Sequence, residues 1–141
     1  MKVHDVVRRY VDAVSAGDVV ACLRCFASDA AFVDPGRLMP LDRVGIEEEF
    51  LGIFAAFPDA TFETIALDPI SDDAAAWQWT LRGTNTGQFA GGPPTGRTIE
   101  VSGCEFIHTR GGLIRHVTAY FDRLRLLAQL GVASDPALPT G

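Results

Sequence analysis

The chain has 141 residues, of which 48% are hydrophobic and 21% charged, as expected for one globular domain. Its formal net charge of −6, with no basic run, argues against nucleic acid as a partner. No apolar stretch is long enough to cross a bilayer, and the first ten residues lack a signal-peptide core. We therefore expect a cytoplasmic protein without a membrane or nucleic-acid partner.

Helical periodicity dominates the first 57 residues. Valines and a tyrosine recur at helical spacing over residues 3–14, and Gly17 ends this first predicted helix. Asp18 is placed to cap a second helix over residues 19–26. A short strand over residues 30–33 then ends at the turn Asp34-Pro35-Gly36. The third predicted helix has an apolar face made of Ile46, Phe50, Ile53, Phe54 and Phe57.

Strand-like alternation follows, over residues 60–67 and 74–83. The Gly/Pro-rich segment 84–97 is long enough to form a flap or lid. Two long strands between residues 98 and 122 come next, followed by a short helix that Asp122 is expected to cap. This order predicts an α+β fold, with a cone-shaped curved antiparallel sheet wrapped around three N-terminal helices. We expect one domain over residues 1–131 and a loose tail over residues 132–141.

The turn between the last two strands decides which side chains share a face. A two-residue Gly111-Gly112 loop would place odd residues opposite even ones, whereas a three-residue loop that includes Arg110 keeps odd opposite odd. The hydrophobic pattern favours the three-residue loop. Glu105 then lies on the apolar face, where a carboxylate must find a partner, stay protonated or line a cavity.

An aromatic-rich interior beneath a long loop is compatible with a ligand pocket as well as with core packing. Its predicted lining is Phe32, Met39, Phe50, Phe54, Trp77, Trp79, Val117 and Ala119. Cys22 and Cys25 form a CxxC within a predicted helix, which favours buried core thiols over a redox site. The spacing of the cysteines and histidines predicts no metal site.

Several segments are similar to known families. Residues 8–36 (RRYVDAVSAGDVVACLRCFASDAAFVDPG) and 113–121 (LIRHVTAYF) resemble ketosteroid isomerases, within the nuclear-transport-factor-like superfamily. The segments FAAFPD, WTLRGTNTG, PPTGR and YFDRLRLLAQLG resemble SnoaL-type polyketide cyclases. The resemblance extends over residues 6–131 and implies the cone-shaped α+β fold.

The resemblance to the isomerases also implies roles for three residues. Asp34 matches the general base of that family, and Tyr10 matches the tyrosine that hydrogen-bonds the developing oxyanion. Glu105 matches the second oxyanion donor of ketosteroid isomerase, which is an acid that an apolar site keeps protonated. The resemblance to the cyclases departs at Ala119, where those enzymes carry their catalytic acid.

These features predict a cofactor-independent cyclase or isomerase of secondary metabolism, acting by acid/base enolisation on a hydrophobic, carbonyl-bearing, polyketide-like substrate. One alternative is a pericyclic cyclase that works through pocket shape and carbonyl polarisation. Another is a non-catalytic small-molecule-binding module. The mixed polar and apolar outer face of the sheet predicts a homodimer.

Overall fold

A computed structural model describes residues 2–132 as four helices beside one open, curved sheet of five strands. The helices are α1 (Val3–Ser15), α2 (Val19–Arg24), α3 (Arg43–Ala56) and α4 (Arg123–Gln129). The strands are β1 (Phe26–Val33), β2 (Thr61–Ser71), β3 (Ala74–Thr84), β4 (Thr98–Arg110) and β5 (Leu113–Phe121). The predicted α+β class is confirmed. Residues 133–141, which make up nearly all of the predicted tail, lie outside the described residues.

Aspartate side chains begin three of the helices. Asp18 accepts a hydrogen bond from Ala21 N at 3.0 Å, and Asp122 accepts one from Arg125 N at 2.9 Å, so both predicted caps are confirmed. Asp42 caps α3 in the same way. Within residues 2–132, none of the helices combines the length and the apolar character needed to span a membrane.

The strands follow the order β1-β5-β4-β3-β2. All neighbours pair antiparallel except β1 and β5, which are parallel, so the sheet is mixed where we expected it to be antiparallel throughout. β1 also begins at Phe26, earlier than predicted, and α2 is correspondingly shorter. The cause is tertiary, because Ile114 N donates to Cys25 O at 2.7 Å and Phe26 pairs with Ile114.

The turn between β4 and β5 differs from the prediction. Arg110 pairs with Leu113, so the loop has two residues, Gly111 and Gly112, with φ values of 60° and 77°. The predicted three-residue loop is therefore wrong. Between the turn and His108 the pairing shifts by one residue, because β5 has one residue more than β4 in this stretch. From His108 towards Glu105, odd residues of β4 therefore pair with odd residues of β5, as the longer loop would also have given. Glu105 accordingly lies opposite Ala119 on the apolar face.

One hydrophobic cluster fills the concave side of the sheet and draws on α1, α2, α3 and α4. Tyr10 of α1 lies at its centre, fully buried. Its ring meets Phe26, Phe50 and Trp77 edge-to-face, with centroids 5.4, 6.3 and 5.7 Å away. Such pairs add to the energy gained from area burial and fix the orientation of the phenol. The helix thereby directs the Tyr10 hydroxyl towards β4.

Candidate active site

Glu105 is the centre of a buried hydrogen-bond network on β4. Only 4% of the residue is exposed. Tyr10 Oη donates to Glu105 Oε1 at 2.6 Å, and Trp79 Nε1 donates to Glu105 Oε2 at 3.0 Å. Glu105 therefore lies on the apolar face of β4, as predicted. Both carboxyl oxygens are thus held by donors from different elements, α1 and β3.

Burial raises the pKa of Glu105 to about 7, although the hydrogen bonds from Tyr10 and Trp79 lower it. Burial, together with the nearby Glu105 charge, raises the pKa of Tyr10 well above its ordinary value. The phenol therefore keeps its proton and remains a donor. Near neutral pH, Glu105 populates both its acid and its carboxylate form, as an acid/base catalyst requires.

The position of the Trp79 indole depends on Gly103, which pairs directly with it on the neighbouring strand. A Cβ atom at Gly103 would lie 2.5 Å from the indole ring. The absence of a side chain lets the ring extend over β4 and reach Glu105 two residues further along. Trp79 was expected as a wall of the pocket, and its role as a donor to Glu105 was missed. A glycine inside an alternating strand is the sequence signal for such a close approach.

A cavity of about 100 Å³ lies beside Glu105. Most of its wall is aliphatic or aromatic, and the phenylalanines include Phe50, Phe57, Phe62 and Phe89. The charged residues on the wall are Asp34, Arg37, Glu49, Glu105 and Arg123. The cavity is therefore suited to an apolar ligand that presents a few polar atoms to fixed charged groups.

Asp34, at the end of β1, contributes the second well-buried carboxylate of the cavity wall. Gly36 N donates to Asp34 Oδ1 at 2.8 Å, which closes the predicted turn. Arg37 Nε lies 3.8 Å from Asp34 Oδ2, and the Arg37 guanidinium also pairs with Glu49. Asp34 thus shapes the turn and faces the cavity at the same time.

Four of the eight residues predicted to line the pocket do so: Phe32, Phe50, Trp79 and Ala119. The structure places the other four elsewhere. Met39 is 75% exposed, because it belongs to the irregular segment after β1 and not to a packed element. Val117 is fully buried within the core cluster.

The two remaining aromatic residues pack behind the wall. Trp77 is fully buried, and its Nε1 donates to Thr64 Oγ1 at 3.0 Å, so its ring forms core between β2 and β3. Phe54 packs against Phe62, with ring centroids 6.4 Å apart. Tyr10 also lies behind the wall and reaches the cavity only through Glu105.

Other reactive groups lie away from this cavity. Cys22 and Cys25 are buried free thiols, and burial raises the pKa of each above its ordinary value, so neither has thiolate character. Across residues 2–132, no three or more His, Cys, Asp or Glu side chains are grouped in a way that could hold a metal ion.

Solved structures of other proteins share this fold. AclR from Streptomyces galilaeus, described as a proposed hydroxylase, superposes with a TM-score of 0.81 at 21% identity, over 93% of this chain and 85% of AclR. A hypothetical protein with a ketosteroid isomerase-like fold from Catenulispora acidiphila superposes at 0.73 with 19% identity, over 90% of this chain and 92% of the other. At such identities the likeness is one of fold.

The family follows from the sequence match. The model of the SnoaL-like polyketide cyclases matches residues 4–130, and the chain belongs to this family. IdmH from Streptomyces antibioticus, a proposed polyketide cyclase, is 30% identical, with a TM-score of 0.76 over 91% of this chain and 97% of IdmH. A comparison with curated proteins finds no match.

Proposed function

We propose that the protein is a cyclase or isomerase that enolises a hydrophobic, carbonyl-bearing, polyketide-like intermediate of secondary metabolism, without a cofactor. The observation that carries this proposal is a buried carboxyl group, held by Tyr10 and Trp79, in the wall of an apolar cavity, where desolvation raises its pKa. Membership of a family of polyketide cyclases supports ring formation as the reaction.

In this proposal the two buried carboxyl groups divide the work. Asp34 removes a proton from the carbon next to a substrate carbonyl, and the electron pair of the broken C–H bond moves into an enolate. Glu105, in its acid form, donates a hydrogen bond or its proton to the enolate oxygen. The enolate carbon then attacks a second carbonyl of the same chain to close a ring; the alkoxide that forms takes the proton held by Asp34, and the first carbonyl re-forms as Glu105 recovers any proton it gave. In an isomerisation Asp34 instead returns its proton to another carbon of the enolate.

Tyr10 acts through Glu105 in this scheme. The family resemblance implies direct contact between Tyr10 and the oxyanion. The geometry favours a positioning role, because the hydroxyl already donates to Glu105 Oε1 and the ring is fully buried behind the wall. Trp79 has the corresponding role at Glu105 Oε2. The two donors hold the carboxyl group against the cavity in one orientation.

A pericyclic ring closure is the second candidate, and one observation favours it. Ala119 lies directly opposite Glu105, is buried, and lines the cavity. At this point of the wall the protein offers space for a folded substrate in place of a second acid. Glu105 would then polarise one carbonyl while the cavity brings the reacting ends together, and no proton would be abstracted.

Proton exchange in deuterated solvent separates these candidates. With 2-tetralone as a hydrophobic ketone probe, enolisation predicts exchange of the α-protons faster than in buffer, and loss of this acceleration in Glu105→Gln. The exchange is followed by proton NMR. If 2-tetralone binds and its exchange matches that in buffer, enolisation is rejected in favour of closure by substrate folding. If polyketide thioesters bind to the protein and are never converted, the protein is a binding module.

We also propose that two copies associate through the outer face of the sheet. This face carries Phe106 and Tyr120, 38% and 48% exposed, with ring centroids 6.2 Å apart. His108 and His116 continue the same face. Half-exposed aromatic residues among polar ones are typical of a protein contact. Light scattering at micromolar concentration should give the dimer mass, and Phe106→Glu should give the monomer mass. A monomer mass for the unaltered chain would reject the dimer.

A further inference from the structure

One buried side chain, that of Asn85, forms hydrogen bonds to both ends of the loop between β3 and β4. Asn85 is only 1% exposed. Its Nδ2 donates to Ala56 O at 3.3 Å and to Gly87 O at 2.8 Å. Its Oδ1 accepts from Thr95 N at 2.8 Å and from Thr95 Oγ1 at 2.9 Å. Asn85 therefore joins both ends of the loop to the last turn of α3.

Gly87 fixes the entry to the loop still more closely. Its N–H donates to Ala56 O at 3.2 Å, and a Cβ atom there would lie 1.9 Å from Ala55 O. Beyond this point most residues are exposed, including Gln88, Pro93 and Pro94. The loop thus has an anchored base and a free segment, residues 88–94, which we call the lid.

The tip of the lid is a tight turn that directs one side chain inwards. The backbones of Phe89 and Gly92 exchange hydrogen bonds of 3.3 and 2.9 Å. Between them Ala90 and Gly91 have φ values of 50° and 78°. Ala90 is the one non-glycine residue of the described chain in this left-handed region, which is costly for a residue with a Cβ atom. The turn presents Phe89 to the cavity wall, where its ring lies 5.8 Å from that of Phe57.

The cavity is small compared with known ligand pockets. Its volume is about 100 Å³, whereas ligand pockets are commonly about 300–1,000 Å³. Most residues of the wall belong to helices and strands. Moving one of these residues outwards would break backbone hydrogen bonds of its helix or strand. Phe89 belongs to a loop, so its outward movement with the lid gives up its packing against Phe57 and the core and leaves the pairing of the strands intact.

We propose that Phe89 is the specificity-determining residue of the site: its ring occupies substrate space when the lid is closed, and the lid must open to admit a ligand larger than the cavity. The chemical class of that ligand, a hydrophobic ketone, rests on the proposed function. Asn85 and Gly87 keep the base in place during this movement, so the lid, residues 88–94, moves as a unit between anchored ends.

Ketones of two sizes test the proposal, with cyclohexanone as the small probe and anthrone as the large one. Binding is followed by tryptophan fluorescence, because Trp79 lies in the cavity wall. We expect Phe89→Ala to bind anthrone at least about tenfold more tightly, the effect of burying roughly two more methylene groups. Cyclohexanone should change by less than about threefold, since it gains little from the added space. The matched control, Gln88→Ala in the exposed part of the lid, should change neither affinity.

Stopped-flow mixing supplies a second readout. In the unaltered protein the observed rate of anthrone binding should level off with concentration, because lid opening becomes limiting. In Phe89→Ala it should rise linearly. Unchanged size selectivity in Phe89→Ala overturns the proposal, as does a linear rise in the unaltered protein.

Two further variants keep the test decisive. If Phe89→Ala unfolds, Phe89→Leu takes its place. It should raise the affinity for anthrone by a smaller factor, and an unchanged affinity would count against the lid. All binding measurements are repeated in Glu105→Gln, which removes the proposed acid and leaves the lid unchanged.

If no substrate is turned over but the size selectivity shifts as expected, the lid stands and the proposed function fails. If substrate is turned over and the size selectivity does not shift, the proposed function stands and the lid is rejected.

Discussion

Glu100 and Glu105 are five residues apart on the same strand, and their environments are opposite. The Glu100 side chain is 65% exposed and lies 3.3 Å from Arg82 Nη2, which shares its guanidinium with Glu63. Glu105 faces the concave side, with only 4% of the residue exposed, between Tyr10 and Trp79. Pleating alone sends these two carboxyl groups to opposite faces.

The sheet separates a solvent-screened carboxyl group from a desolvated one. On the outer face water screens the ion pairs of Glu100, so they add little to stability. On the inner face desolvation raises the pKa of Glu105 to about 7. Desolvation by the fold, and not the functional group itself, thus moves the pKa of Glu105 towards neutrality.

The largest expected difference between the two faces is in catalysis. Glu105→Gln should lower turnover by about 10²–10⁴-fold, the usual contribution of a positioned acid/base group. In the unaltered protein the rate should fall as the pH rises through about 7, because the proposed mechanism uses the acid form of Glu105, and this dependence should vanish in Glu105→Gln. Glu100→Gln is the matched control and should change turnover by less than about threefold. Steady-state rates from pH 5 to 9 test this, and a rate that rises through pH 7 would instead make Glu105 a base.

The division of work between the inner residues is tested by two substitutions in the cavity wall. If proton abstraction drives the reaction, Asp34→Asn should cost about 10²–10⁴-fold in turnover. If substrate folding drives it, Asp34→Asn should cost less than about tenfold, and Ala119→Leu should abolish turnover by filling the cavity. Single-turnover rates of both variants decide between them. A near-normal Asp34→Asn with an inactive Ala119→Leu would contradict the enolisation mechanism.

The burial of Glu105 should also make stability depend on pH. Its pKa rises from 4.5 to about 7 on folding, so the folded state holds the proton more tightly than the unfolded one. The stability that this contributes is fully present below about pH 4.5 and is lost as the pH rises to about 7. Each pKa unit is worth about 1.4 kcal/mol, so Glu105 alone should lower the free energy of unfolding by roughly 3 kcal/mol over this range.

Urea unfolding of the unaltered protein and of Glu105→Gln, at pH 4.5 and pH 7.5, isolates this contribution from those of the other carboxylates. The difference in unfolding free energy between the two proteins should shift by roughly 3 kcal/mol in favour of the variant at the higher pH. A constant difference would mean that Glu105 titrates alike in the folded and unfolded states.

The smallest expected effect contrasts two glycines. Gly103→Ala should destabilise the protein by about 1–3 kcal/mol, because its Cβ would lie 2.5 Å from the Trp79 indole and 2.9 Å from Tyr120 O. Gly52→Ala, on the exposed side of α3 with nothing within 4 Å, should stabilise it by about 0.5–1 kcal/mol. Thermal unfolding compares the two variants. If Gly103→Ala retains full stability, then Trp79 is not held in place by Gly103.

Local chemistry accounts for the features that sequence reasoning predicted well. Asp18 and Asp122 cap helices through hydrogen bonds to backbone groups three residues away, so their role depends on no distant part of the chain. Alternation along β4 likewise indicated that Glu105 faces inwards, because period two is a property of the strand itself. The turn was mispredicted because an extra residue in β5 restores the same pairing as a longer loop, and the alternation cannot distinguish the two.

The sequence by itself determined the α+β order of elements, the helix caps and the inward face of Glu105, since each depends on neighbours within a few residues. Tertiary structure decided what Glu105 meets. Its donors are 95 and 26 residues away in the chain, and they reach it only when α1 packs across the sheet and Gly103 makes room for Trp79. Tertiary packing also placed Trp77 in the core and Phe89 in the cavity wall, because apolar residues have the same pattern whether they fill a core or line a site.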